Sequence, residues 1–356
     1  MPTPSDDTPP SLPAPPPRPD GIEPDREPVA FVVPLECAGL RLDRFISTRI
    51  RWVSRRRAQR IVAGGAADSE GRRLRRSHRV TPGEVIWVYR RQVREPPPPA
   101  TPIRIVHEDE HLVAIDKPAG IVMHPTARYR IATLTRFLRE RYPGRLPRIG
   151  HRIDRETSGI VLATHTLEAD QALKRLFARR EVEKLYLALV HGRPDPPEGE
   201  IDAPLGHSDT SRIRIKMIPR HDGDPALTTY RLLAEAGPYS LVAVEPRTGR
   251  QHQVRAHMAA IGCHLVGDKV YDPDEDVFFA WLDAAAANDP ALREHLVLDR
   301  HALHAWTVAL PHPATGVRCR FIAPIPADIA NLVERHAGPA WRDALPALGR
   351  DESAEW

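Results

Sequence analysis

Residues 151–166 read HRIDRETSGIVLATHT. From Ile160 onward the run is almost continuously apolar and follows Ser158 and Gly159 directly, the pattern of a strand buried on both faces. Ahead of it a single carboxylate, Asp154, stands between Arg152 and Arg155 in the loop that feeds the strand's N-terminal edge. A loop aspartate is ordinarily a turn or cap residue. Its neighbours in the fold decide whether it is more.

Working outward, strand and helix patterns alternate from about residue 102 to 335, which predicts a mixed α/β domain. HLVAIDKPAG (111–120) reads as a strand and a turn, and EADQALKRLFARREV (168–182) places Leu173, Leu176 and Phe177 on one helical face. EKLYLALVHG (183–192) is a strand with Leu185, Leu187 and Leu189 on one side. Lys184, Tyr186, Ala188 and Val190 occupy the other side, which is polar enough to line a pocket.

TGRQHQVRAHMAAIG (248–262) reads as a helix with a T-x-x-Q capping box, Thr248 to Gln251. Val254, Met258 and Ile261 form its apolar stripe and Gly262 ends it; Gln251 and Arg255 share a neighbouring stripe at the N-terminal end, where the dipole favours an anion. His252 and His257 are five apart, about 140° around a helix at 100° per residue, whereas paired zinc ligands need i, i+4 spacing. They read as packing or hydrogen-bonding groups, and no metal site is expected.

The formal charge of +4 conceals a strong asymmetry. Between Arg41 and Arg94 there are sixteen arginines and four acids, a surplus of +12, so the remainder carries −8. A segment so unbalanced repels itself and fits a polyanion, of which nucleic acid is the usual one. Arg44, Arg55, Arg56 and Arg60 are the candidate phosphate contacts, with Arg56 and Arg60 one helical turn apart. The same segment predicts two short helices, with Leu42, Phe45, Ile46 and Ile50 on one and Ala58, Ile61 and Val62 on the other, the second capped by Ser54. A strand follows in which Val85, Trp87 and Tyr89 alternate with Ile86 and Val88.

Composition divides the chain further. The proline-rich, acid-bearing stretch 1–28 is expected to be a disordered tail, 29–92 a small α/β module, 93–101 a proline-rich linker, 102–335 the main domain and 336–356 a second tail. Cys37, Cys263 and Cys319 are odd in number and far apart, a pattern of buried small hydrophobes rather than a disulfide or zinc framework. No membrane span or signal sequence is indicated, so a cytoplasmic protein is expected. Neither a P-loop nor a dinucleotide fingerprint occurs, so no nucleotide cofactor is signalled.

Five stretches taken together carry a resemblance: HEDEHLVAIDKPAGIVMHP, HRIDRETSGIVLATHT, EKLYLALVHG, RTGRQHQVRAHMAAIGCHLVGDKVYD and RHALHAWTVALPHPATG. Their order resembles the RluA-type pseudouridine synthase family. That resemblance implies a mixed, largely antiparallel central sheet flanked by helices, and an isomerase that needs neither cofactor nor metal. Asp154 stands at the family's essential aspartate and Arg152 at the arginine that helps hold the target nucleotide out of its helix. Tyr186 matches the tyrosine that contacts the target uracil, and Arg255 the basic residue that ion-pairs with the aspartate; Gln251 and His252 are assigned with Arg152 to substrate binding. The departures are Ile153 for leucine, Gln251 for threonine and Asp272 for glycine. The segment 29–92 resembles the RNA-binding module named for ribosomal protein S-four, with AADSEG in place of that module's usual hairpin.

The expectation is therefore an RNA pseudouridine synthase acting as a monomer on ribosomal RNA of the large subunit, with transfer RNA as the alternative substrate. A non-catalytic RNA-binding or ribosome-assembly factor on the same fold is the runner-up. An N-glycosidase is a third reading, and it would need a second carboxylate or a positioned water opposite Asp154. The acidic, alanine-rich segment 272–298 is expected to be a helical elaboration near the RNA entrance.

Overall fold

The computed structural model describes residues 14–50, 55–91, 95, 97–126, 129–282 and 289–345. Two compact units divide at Arg94 and Glu95.

In the first unit, β1 (Arg26–Val32) pairs antiparallel with a later strand, and between them lie α1 (Leu42–Arg49), α2 (Arg55–Gly64) and the two-residue β2 (Ala66–Ala67). The later strand, β3 (Val85–Arg91), is central in the order β1-β3-β2. Its alternation is as the sequence predicts: Ile86 and Val88 join Leu42, Phe45, Ile46, Ala58 and Val62 in one core, while Trp87 and Tyr89 pack with Ile22 on the other face. AADSEG still makes a strand and turn, because the Asp68 carboxylate accepts from the Glu70 and Arg72 backbone N–H groups at 3.0 and 2.9 Å. Ser54, expected to cap α2, lies outside the described residues.

The second unit is built on a ten-stranded mixed sheet. Its strands are β4 (Arg104–Glu108), β5 (Leu112–Lys117), β6 (Arg148–Ile149), β7 (Ser158–Thr164), β8 (Glu183–His191) and β9 (Glu198–Asp202). After a separate ribbon of β10 (Leu205–His207) and β11 (Met217–Pro219) come β12 (Leu227–Ala236), β13 (Tyr239–Pro246), β14 (Leu303–Pro311) and β15 (Arg318–Ile322). The main order is β4-β5-β7-β14-β8-β13-β12-β9, with β15 on β14 and β6 on β7. Only β7 and β14 pair in parallel among the described strands. Gly159 makes that pairing close: it sits at φ 112°, and a Cβ there would lie 2.1 Å from the Ala305 carbonyl oxygen.

Helices cover both faces. The helix α3 (Leu134–Arg141) buries Leu134 and Leu138 against Val113, Ile115 and Val161, while α4 (Leu167–Ala178) sets Leu173 against Leu112, Ile160 and Leu162. The continuous apolar run of β7 is thus explained by burial on both sides. On β8 the two sides separate as predicted. Leu185, Leu187 and Leu189 face the helix that begins at Ala327, whereas Tyr186, Ala188 and Val190 face α5 (Gln253–Ala260) through Val254 and Met258. The segment 272–298 contains α6 (Glu275–Leu282) and α7 (Pro290–Leu296), and α8 (Ala327–Ala337) follows the last strands.

Both expected tails are ordered in part. Ile22 is buried and β1 starts at Arg26, before the boundary placed at residue 28. At the other end a 3-10 turn over Pro339–Ala344 presses Trp341 and Leu345 into the core with Val333, so order runs beyond residue 336. In each case a few apolar side chains at compatible spacing outweigh a composition that reads as polar overall.

Candidate active site

Asp154 lies in the loop between β6 and β7, where Lys117 helps fix the backbone. The Lys117 ammonium is fully buried and donates to the carbonyl oxygens of Pro118, Ile121 and Arg155 at 2.9, 3.0 and 3.3 Å. Burial lowers its pKa to about 7, since only carbonyl dipoles replace its hydration. On the other side of the loop Thr157 Oγ1 lies 2.8 Å from His301 Nε2, and Glu156 reaches Lys269 at 3.1 Å and the His301 N–H at 3.2 Å. The loop is therefore tied to three other parts of the second unit.

The Asp154 carboxylate accepts from Arg255 Nη1 at 2.9 Å. The other edge of that guanidinium grips Asp268: Nε and Nη2 donate to its two oxygens at 2.6 and 2.7 Å. Asp268 also accepts from the backbone N–H groups of Val270 and Tyr271. Its side chain is 0% exposed and that of Arg255 6%, whereas the Asp154 side chain keeps 23%, open to the cavity. A bidentate pair is directional as well as strong, so Asp268 fixes the plane of Arg255 and leaves one N–H aimed at Asp154. Burial alone would raise the pKa of Asp154, but the Arg255 charge and hydrogen bond outweigh it and hold the carboxyl below its ordinary range. Asp154 is ionised at neutral pH.

Two further side chains complete the surroundings. Tyr186, from β8, lines the same cavity, and its hydroxyl is held well above the usual phenol range by burial and by the negative charge of Asp154. It is a neutral phenol with a flat apolar face. His252 adopts a left-handed conformation, φ 56°, just before α5, which brings its Nε2 to 3.9 Å from Asp154. Tyr271 accepts from the Met217 N–H at 3.0 Å, and its hydroxyl lies 3.3 Å from His252 Nδ1, which holds the ring in place beside the carboxylate. Burial, with Arg255 close by, lowers the His252 pKa to about 4, so the ring is neutral.

The helix start differs from the sequence reading. Because α5 begins at Gln253, Thr248 and Gln251 form no capping box, and Gln251 is exposed on the preceding turn, off the helical stripe of Arg255. The buried amide at 253 does the organising instead. Gln253 donates to the Leu227 carbonyl and to Thr228 Oγ1, and accepts from Thr248 Oγ1 and the Arg250 N–H. A chain entering the helix in a left-handed turn cannot present the β-region N-cap geometry a capping box requires. His257 is fully buried between Thr228 and the Ala203 carbonyl, the hydrogen-bonding role expected of it.

Asp154, Arg255 and Tyr186 thus meet at a cavity of about 710 Å³, which Arg152, Gln251, His252, Lys184 and Arg247 also line. The remaining candidates, Arg44, Arg55, Arg56 and Arg60, belong to the first unit. All four are exposed, with Arg55 3.7 Å from the buried Asp43. Two residues escaped the sequence reading. Asp268 carried no signal beyond its place in G-D-K-V-Y, and Gln253 sat inside a motif whose neighbouring Gln251 offered a more familiar pattern. Among the described residues no cluster of three or more His, Cys, Asp or Glu side chains could hold a metal ion.

An ionised carboxylate, a neutral phenol and a guanidinium line a cavity large enough for one unstacked base. The fold carrying them is that of an RNA-modifying isomerase. The family model described as RNA pseudouridylate synthase matches residues 111–260. An uncharacterized RNA pseudouridine synthase of Chloroflexus aurantiacus is 40% identical over 323 residues, 85% of this chain and 92% of that protein. The ribosomal large subunit pseudouridine synthase D of Nitrosomonas europaea is 34% identical, covering 88% and 89%. Among solved structures, human RNA pseudouridylate synthase domain containing 1 superposes with a TM-score of 0.52 at 26% identity, covering 67% of this chain and 90% of that one. The chain belongs to the RluA-type family of RNA pseudouridine synthases and is an isomerase.

Proposed function

We propose that this enzyme converts specific uridines of large-subunit ribosomal RNA to pseudouridine with Asp154 as its essential carboxylate. The observation that carries the reading is the Asp154–Arg255 ion pair in the wall of the cavity that Tyr186 also lines. Isomerisation breaks the bond between uracil nitrogen and ribose, turns the base, and rejoins it through carbon 5, so every atom is retained. It needs one group that is a base or nucleophile at neutral pH, and a carboxylic acid qualifies only when ionised. Arg255 keeps Asp154 in that state despite burial, and Asp268 keeps Arg255 in place. Tyr186 supplies the surface on which the extruded base rests, and its neutral hydroxyl adds no second charge. Arg152, Gln251 and His252 contact the nucleotide.

Ribosomal RNA is favoured because several relatives at 32–35% identity are named as large-subunit enzymes. The first unit, whose residues 29–92 resemble the S-four module, serves as an RNA grip whose exposed arginines, Arg44, Arg55, Arg56 and Arg60, pair with phosphates. Residues 93–101 link it to a catalytic domain over 102–335, and the protein works as a cytoplasmic monomer. Among the described residues no helix is long and apolar enough to cross a membrane.

The test uses purified full-length protein and an unmodified large-subunit ribosomal RNA transcript labelled with tritium at uridine carbon 5. Tritium is released without added metal or nucleotide, and Asp154→Asn abolishes release while binding stays within a few fold. Turnover by that variant would remove Asp154 from the chemistry, and free uracil as product would identify a glycosidase. Release from transfer RNA alone would reassign the substrate.

A further inference from the structure

A second cavity of about 390 Å³ lies beside the first and shares Arg152, Ile153, Asp154, His252 and Arg255 with it. Met123, Ile215, Val270, Phe278 and Trp281 give it apolar and aromatic walls, and His124, Thr126, Arg155, Glu156, Lys269 and His301 give it polar ones. Phe278 and Trp281 belong to α6, in the segment 272–298 that family resemblance left without a role.

This helix is held at both ends, so it is a fixed wall of that cavity. At its start Glu275 accepts from Ser211 Oγ at 2.5 Å, the Arg212 N–H at 3.1 Å and Lys216 Nζ at 3.2 Å, joining α6 to the loop that carries Ile215. At its end the Trp281 ring lies under two cations, with Arg155 Cζ 5.4 Å and Lys269 Nζ 5.1 Å from its centroid. Those cations are bound by the two oxygens of the one Glu156 carboxylate, at 2.5 and 3.1 Å, and all three residues line the cavity together with Trp281.

We propose that this cavity is a stacking subsite for the nucleotide next to the target uridine, with Trp281 as its platform; the proposal rests on the reading of Asp154 and Tyr186 given above. The shared residues set the two cavities next to each other at Asp154, where neighbouring nucleotides of one strand can occupy both. Extruding one base from a stack strips its neighbour of a partner, and an aromatic side chain restores that contact whatever the base identity. Arg155 and Lys269, which line the same cavity beside the ring, add positive charge that attracts the sugar–phosphate backbone of an anionic strand without reading a base edge. The subsite therefore tightens binding of single-stranded or unstacked RNA with little sequence preference.

The experiment titrates full-length protein with pentauridylate while following tryptophan fluorescence, and measures KM and kcat for tritium release from the ribosomal transcript. Pentauridylate quenches the wild type. Trp281→Ala loses that quenching, binds pentauridylate about tenfold more weakly and raises KM about tenfold with kcat within twofold, the size expected for one base–aromatic stack. Trp281→Phe restores most of the affinity. Equal pentauridylate affinity in wild type and Trp281→Ala would overturn the subsite, and so would a loss confined to kcat, which would make Trp281 a prop for the Asp154 loop. Quenching without any turnover of the transcript would instead count against the ribosomal substrate.

Discussion

The arginines of the two units do opposite things with the same guanidinium. In the first unit Arg44, Arg56 and Arg60 are exposed on or beside short helices, in a segment with a surplus of +12 charges. In the second, Arg255 is almost wholly buried and divides its donors between two carboxylates. A solvated arginine gains little until a phosphate arrives, and salt then competes with what it gains. A buried arginine is never in contest with salt. It sets the ionisation of its neighbours and holds them in register, so its removal is felt in stability and in pH dependence.

That contrast breaks most visibly at Arg255. Replacing it with glutamine strands Asp154 and Asp268, and leaving a buried partner uncompensated costs about 3–5 kcal/mol; urea denaturation at pH 7 should read that loss. Turnover should fall about 10²- to 10³-fold, the usual result of removing one preorganised donor. Variants that stay fully active and stable would show that the pair is incidental.

A pH series sharpens the same point. Arg255 depresses the folded-state pKa of both carboxylates, so its stabilisation is complete above their unfolded pKa values, near 4, and is lost as pH falls through the folded values. The stability gap between wild type and Arg255→Gln should therefore close in acid. Where residual turnover allows measurement, the acid limb of the kcat/KM profile should move to higher pH in the variant, because burial of Asp154 is no longer opposed. A limb that stays in place would separate Arg255 from the ionisation of Asp154.

The exposed set predicts the reverse pattern. Changing Arg55, Arg56 and Arg60 together to glutamine should leave stability within about 0.5 kcal/mol per site and weaken RNA binding at low salt. The log–log salt slope should decrease by about 0.7–0.9 for each phosphate that is no longer neutralised. An unchanged slope would mean the arginine block is not the RNA grip. The same contrast of buried against exposed recurs at two glutamines two residues apart. Gln253→Ala should cost about 1–3 kcal/mol by leaving buried partners unsatisfied, whereas the exposed Gln251→Ala should change melting by almost nothing.

Much of this was legible in one dimension because it depends on local periodicity. The two-faced alternation of β8, the doubly buried run of β7 and the hydrophobic stripes of α1, α2 and α4 all follow from spacing, whereas the grouping of Asp154, Tyr186 and Arg255 was implied by the family resemblance. What was misread depends on backbone geometry or distant partners. The Thr248–Gln251 capping box failed because His252 takes a left-handed turn, and the tails were drawn too long because Ile22, Trp341 and Leu345 find cores supplied by remote strands.

The chain by itself determined which side chains are available: a loop aspartate between two arginines, a tyrosine on the polar side of a strand, an arginine early in a helix, and a block of basic residues elsewhere. Only the tertiary structure decided how they are used. It brought Asp268 against the far edge of Arg255, turned one N–H of that guanidinium toward Asp154, and laid Trp281 along a second cavity. Electrostatic coupling falls off with distance and rises with burial, and neither quantity is encoded in the order of the residues along the chain.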